Sequence, residues 1–186
     1  MEFEHLPFAA EMDSQTFDEL MLQHGQDVWN YAFFITRDRH LTDDITQEVF
    51  LRAYRGIQHF RGQCTVKTWL LKMTRNQAYS TRRSAFYRRV FVSSSPGESQ
   101  TTPSAESAYF GKLASDEIWH AVMTLPLKFR EVLLLEIKSE LSMKEIADML
   151  GVSEGTAKSR LHRARARVTA KLEEGRANEH RKAGVV

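Results

Sequence analysis

Leu141–Arg167, LSMKEIADMLGVSEGTAKSRLHRARAR, is the stretch whose local chemistry fixes how the rest of the chain is read. Ser142 followed three residues later by Glu145 is a capping box. With Ile146, Ala147 and Leu150 forming one apolar stripe, it predicts a short helix from Met143 that stops before Gly151. Gly151 suits the left-handed conformation of a tight turn, and Val152 plugs that turn. Ser153 then caps a second helix, whose apolar positions Ala157, Leu161, Ala164 and Val168 recur on one face. Two short helices around a glycine turn make a helix-turn-helix.

The outward face of that second helix carries Lys158, Ser159, Arg160, His162, Arg163, Arg165 and Arg167, and Glu154 is the only acid between Ser153 and Lys171. Cations of this density match phosphate oxygens. The first turns, with Ser153, Glu154, Thr156, Lys158, Ser159 and Arg160, are placed to meet base edges in a major groove.

Working outward, the 186 residues are 42% hydrophobic, enough for one or two modest cores. No apolar run approaches the roughly 18 residues of a membrane span, and the amino terminus, MEFEHLPFAAEMDS, lacks the basic-then-apolar order of a signal peptide. A soluble cytoplasmic protein is expected. Cys64 is the single cysteine, so no internal disulfide is possible, and the seven histidines show no metal-ligand spacing. Neither a metal nor another cofactor is expected, nor a small-molecule substrate.

The net charge of +2 conceals segregation. Residues 1–51 hold eleven acids against Arg37 and Arg39, whereas residues 52–91 hold ten basic residues and no acid. Residues 92–140 are again acidic in balance and residues 141–186 basic. Two basic blocks separated by acidic sequence predict two nucleic-acid-facing surfaces on two modules, with the acidic remainder available to another partner.

Four helical patterns precede residue 90. Phe17, Leu20 and Met21 start the first; Val28, Trp29, Ala32, Phe33 and Thr36 mark the second; Ile45, Val49, Ala53 and Ile57 the third; Trp69, Leu70, Met73 and Gln77 the fourth. Thr42, with Asp43 and Asp44 behind it, is expected to open the third helix. Gln58–Thr65, broken by Gly62, interrupts the helices. Val92–Ser107, VSSSPGESQTTPSAES, is a linker by composition, either a passive tether or an extended functional strand. Periodicity resumes at Ala114 with Ile118, Val122 and Leu125 and continues through Phe129, Val132, Leu133 and Ile137. The expectation is an all-α chain of two helical domains joined by a flexible linker, the second containing the helix-turn-helix. The boundaries are 13–90, a linker at 91–112, 113–172, and a frayed tail at 173–186, where periodicity is lost after Leu172.

Within Thr42–Arg83, the spacing D-x-x-Q-E-x-F-x-x-A-Y that begins at Asp44, followed by Phe60, by Thr68-Trp69-Leu70 and by Arg75-Asn76, resembles the extracytoplasmic-function (ECF) sigma factors. It matches the part of those proteins that binds core RNA polymerase and melts promoters. LPLKFREVLLLEIKSELSMKEIADMLGVSEGTAKSRLHRARARV resembles the same family's carboxy-terminal promoter-binding domain. The two blocks cover about 120 of the 186 residues in the family's order.

The resemblance implies that the helix with Asp44, Gln47, Glu48 and Phe50 docks on the clamp helices of the largest catalytic subunit of polymerase. It further implies that the loop Phe60–Thr65, including Arg61, Gly62 and Gln63, and the helix Thr68–Arg83 capture the melted non-template strand of the minus-10 element. It implies too that Ser153 to Arg167 read the minus-35 duplex, and that an anti-sigma factor holds the protein inactive, at the membrane in many relatives.

The residues themselves are compatible with this. Asp44, Gln47 and Glu48 share a helical face. Arg75, Arg82, Arg83, Arg88 and Arg89 can follow phosphates, Asn76 offers both a donor and an acceptor to a base, and Tyr79 offers a π-face. Trp69 is assigned to the core beside Leu70 and Met73. The family's usual aspartate four residues after the Arg-Asn pair is Ser80 here, so no salt bridge is carried over at that position. Two competitors remain: a stand-alone helix-turn-helix repressor or activator whose first domain senses or dimerises, and an enzyme built on Cys64 and His59. The second lacks the third group that would orient such a pair.

Overall fold

A computed structural model describes residues 14–91, 116–138 and 141–183, and over these it contains helices and no strand. Seven α-helices are present among the described residues: α1 Ser14–Thr36, α2 Arg39–Gly56, α3 Val66–Phe91, α4 Asp116–Met123, α5 Leu127–Lys138, α6 Met143–Leu150 and α7 Glu154–Ala183. The first three form one compact unit and the last four another. The linker expected between them lies outside the described residues.

In the first unit each helix packs on the other two. Tyr31, Ile35, Ile45, Val49 and Leu70 are among its fully buried side chains. Buried hydroxyls are satisfied within the helices: Thr42 donates to the Asp38 carbonyl at 2.7 Å and meets Thr36 at 2.9 Å, and Thr74 donates to the Leu70 carbonyl at 2.8 Å.

Two sequence expectations fail here. The first two helical patterns are one helix, α1, which runs through the polar stretch Gln23–Asp27 because His24 in its middle is itself buried in the core. The next helix is opened by Asp38 rather than Thr42. The Asp38 carboxylate accepts from the Leu41 amide at 3.1 Å, and Arg37, with φ 57°, makes the left-handed turn out of α1. Thr42 is buried one turn inside.

His24 carries a testable consequence. Burial pulls its imidazole below the ordinary 6.5, the Asp27 carboxylate partly opposes this, and Lys67, paired with Asp27 at 3.0 Å, adds to the lowering. A histidine whose folded pKa lies below its unfolded one stabilises the fold only while neutral, so stability is present above pH 6.5 and declines as pH falls below it. The melting temperature of this unit should drop between pH 7 and pH 5.5, and His24→Gln should flatten that slope. An unchanged slope in the variant would assign the pH dependence to other groups.

In the second unit α7 is the helix against which α4, α5 and α6 all pack. The buried Arg130 donates to the Met123 carbonyl at 3.0 Å, placing a cation at the carboxyl end of α4. Ile118 and Ile137, expected on the apolar faces, are 42% and 56% exposed and contribute little to the core. The tail expected to fray after Leu172 continues α7 to Ala183. Its Lys, Leu, Glu, Arg and Ala are strong helix formers and extend a helix already nucleated by packing.

Candidate nucleic-acid interface

The helix-turn-helix forms as its chemistry requires. The Ser142 hydroxyl accepts from the Glu145 amide at 3.3 Å while the Glu145 carboxylate accepts from the Ser142 amide at 2.9 Å, closing the capping box. At the other end Gly151 has φ 66° and ψ 40°, and the Val152 amide donates to the Ala147 carbonyl at 3.0 Å. This is a Schellman turn, in which a side chain at Gly151 would be strained. The Ser153 hydroxyl accepts from the Thr156 amide at 3.2 Å and starts α7. Ala157, Leu161 and Ala164 are buried as expected, and Val168 is half-buried.

Opposite that stripe, Ser159, His162 and Arg163 are exposed on the centre of the outward face. Thr156 and Arg160, both half-buried, lie on one flank, and Glu154 and Lys158 on the other. Lys158 pairs with Glu154 at 2.6 Å, and its hydrogen bond and charge hold the Glu154 carboxyl below its ordinary pKa. Two members of the basic face turn back onto the domain. The Arg165 guanidinium meets the Glu136 carboxylate at 2.6 Å, and that of Arg167 lies 4.6 Å from the centre of the Phe129 ring. Arg167 therefore departs from the expectation of a side chain directed outward, because the aromatic face of α5 lies within its reach.

In the first unit, α2 is followed by a three-ten turn, Ile57–His59, and then by a loop in which Gly62 takes φ 65°. Thr65 caps α3, accepting from the Thr68 amide at 3.1 Å. Phe60 is half-buried against Trp69, ring centres 5.0 Å apart, while Arg61, Gly62 and Gln63 are exposed. Along α3, Leu70, Thr74 and Ala78 are buried. Trp69, Lys72, Asn76, Tyr79 and Arg83 follow at i, i+3, i+7, i+10 and i+14 on the opposite side, half-buried or exposed.

Trp69, assigned to the core from sequence, thus stands at the head of the polar line, and Lys72 on the same line was not singled out. Their 3-4 spacing around Asn76 is the signal that identifies both. Arg75 rests its guanidinium 4.7 Å from the centre of the Tyr79 ring, pairing a cation and a π-face. Arg82 is exposed beside them. The side chains of Arg88 and Arg89 lie outside the described residues.

Asp44, Gln47 and Glu48 lie together on the outer side of α2, as their spacing predicts. Asp44 and Gln47 are exposed, and Glu48, half-buried, pairs with Arg52 one turn on at 2.6 Å. Phe50 is buried at 4% exposure, in an edge contact with Phe17 whose ring centre is 6.4 Å away. Residues 45, 49, 50 and 53 form the inward stripe of α2, so Phe50 cannot share the polar ledge. It does line an open groove of about 480 Å³ with Phe17, Met21, Gly25, Trp29 and Leu51. Gln26, Thr46 and Gln47 also line this groove. Met21 and Leu51 are 43% and 48% exposed, and of the two only Leu51 lies outside the apolar patterns read from the sequence.

Residues 20–86 match the sequence model of sigma-70 region 2, and residues 115–168 that of sigma-70 region 4. The ECF RNA polymerase sigma factor SigM of Bacillus subtilis is 31% identical over 160 residues, 86% of this chain and 97% of that protein. The chain belongs to the ECF sigma factors. RNA polymerase sigma factor YlaC of the same organism is 29% identical over 164 residues, 87% of the sigma factor described here and 95% of YlaC. The fold is shared with the sigma factor RpoE of Bartonella quintana, solved in complex with the anti-sigma factor NepR. That match has a TM-score of 0.67 and 24% identity, covering 86% of this chain and 98% of RpoE.

Among the described residues of the sigma factor, no three His, Cys, Asp or Glu side chains gather as a metal site, and no helix is long and apolar enough to cross a membrane.

Proposed function

We propose that this sigma factor docks on the clamp helices of core RNA polymerase through Asp44, Gln47 and Glu48, with the apolar groove beside them receiving the partner's side chains. Phe50 contributes as the floor of that groove. The minus-35 duplex is read by α7 from Ser153 to Arg163, and the melted minus-10 strand is held by the Phe60–Gln63 loop and by the line through Asn76, Tyr79 and Arg83 on α3. Arg75 and Arg82 supply phosphate contacts. The factor carries no catalytic step of its own, acts in the cytoplasm on the nucleoid, and is restrained by an anti-sigma factor that covers the same surfaces. The observation that carries this reading is the match of both promoter-handling regions, in order, to two separate helical units, each of which contains one of the two basic blocks. Run-off transcription with purified core polymerase on the promoter of the chain's own operon tests it. Transcript should depend on adding the protein, and its absence would favour the stand-alone repressor.

Within this reading Arg163, exposed at the centre of the outward face, and Arg160 on its flank are the strongest candidates for base contacts. Alanine at either position should weaken promoter binding by about 1–3 kcal/mol and relax preference at one position of the minus-35 element. Gel-shift titrations against single-base variants measure both quantities. A loss equal for every sequence would reassign the side chain to phosphate.

A further inference from the structure

The basic face of α7 has more cations than it directs outward, and α5 accounts for the difference. Arg165 and Arg167 are two positions apart, hence about 200° apart around the helix, so they leave opposite flanks of its buried stripe. Both nonetheless end on α5: Arg165 on the Glu136 carboxylate at 2.6 Å, and Arg167 over the Phe129 ring at 4.6 Å. Glu136 and Phe129 are themselves seven residues apart, two turns along one face of α5. Arg165 also shares its flank with Lys158, seven residues earlier, so a released Arg165 side chain would extend the row of cations beside the groove-facing turns.

We propose that Glu136 is a positioning residue that withholds Arg165 from the DNA backbone and so limits sequence-independent binding by the promoter-reading helix. This rests on the assignment of α7 to duplex DNA given above. Every phosphate contact strengthens binding to all sequences alike, and promoter choice depends on the ratio of specific to non-specific affinity. A carboxylate that keeps one cation engaged within the domain removes one such contact without altering the base-reading turns. Arg167 is engaged in parallel, by an aromatic ring rather than by a charge.

The test uses the full-length protein and a random-sequence DNA duplex, with affinity followed from 50 to 200 mM salt. Glu136→Ala should steepen the dependence of log K on log salt by about 0.9, the contribution of one phosphate contact, which amounts to about a 3.5-fold larger change in affinity across that range. Adding Arg165→Ala to Glu136→Ala should remove the gain, whereas Arg165→Ala alone should change the slope far less. If the two substitutions act additively, or if Glu136→Ala leaves the slope unchanged while Arg163→Ala lowers binding to the promoter duplex as expected above, the withholding role is overturned and the assignment of α7 survives. If Arg163→Ala also leaves binding to the promoter duplex unchanged, the assignment of α7 to DNA falls and the proposal falls with it. Both α5 and α7 positions are at the surface, with 29% and 59% side-chain exposure, so the variants should fold, and helical circular dichroism checks that they do.

Discussion

With Asp44 and Glu48 both replaced by lysine, the protein should keep its helical circular dichroism and lose co-purification with core polymerase. The fold is expected to survive because neither side chain is in the core. Asp44 is exposed, and Glu48 makes only the i, i+4 pair with Arg52, worth about 0.3–0.5 kcal/mol at a surface. The interaction is expected to fail because the acidic ledge borders the apolar groove, and docking there would desolvate charges that the substitution reverses. Reversing a charge in a desolvated pair costs about 2 kcal/mol or more, so two reversals approach a thousandfold in Kd. Retained co-purification would sink the ledge as the docking surface. As an independent check on the same surface, Leu51→Glu places a charge in the groove without touching the ledge, and it should weaken capture as well.

The parts of this molecule that were legible in sequence are those whose structure is decided within a few residues. Ser142, Glu145, Gly151 and Ser153 each satisfy a backbone group within a turn of themselves, so the helix-turn-helix appears in the structure with the boundaries its caps predict. Where a distant contact decides, the reading went astray. Gln23 to Asp27 looks like a break between helices because polar residues and Gly25 interrupt the apolar rhythm. Yet burial of His24 and the pairing of Asp27 with Lys67 on α3 carry α1 through it. Thr42 looks like a cap because acids follow it. It is buried instead, because the carboxylate of Asp38 had already capped the helix.

The same distinction runs through the candidate interface. Periodicity correctly set Ser159, His162 and Arg163 opposite the buried stripe of α7. It had no means of showing that Arg165 would meet Glu136 29 positions away, or that Arg167 would reach Phe129, since neither contact is local. Phe50, which the resemblance assigned to the docking helix, lies with Ile45, Val49 and Ala53 on the inward stripe of α2 and lines the groove beside the polar ledge, a placement that its helical register alone indicates.

The double variant Arg75→Ala with Asn76→Ala should separate promoter opening from duplex recognition. Strand capture requires unpaired bases, and only polymerase-assisted opening exposes them, so the isolated protein should bind duplex promoter weakly and by α7 alone. On adding core enzyme, thymines near the minus-10 element should become reactive to permanganate in the presence of the unsubstituted protein. Arg75 holds its guanidinium over Tyr79 and Asn76 is exposed on the line from Trp69 to Arg83, so truncating both removes a cation, its stacking on the ring and an amide edge together. Base stacking and amide contacts on single strands are worth about 1–3 kcal/mol each, and losing several of them should reduce the permanganate signal at least tenfold. Duplex binding should be unchanged, because neither residue belongs to the second unit. Tight duplex binding by the protein alone, with no polymerase-dependent reactivity, would remove strand capture from residues 58–83 and make the first basic block a surface with some other partner.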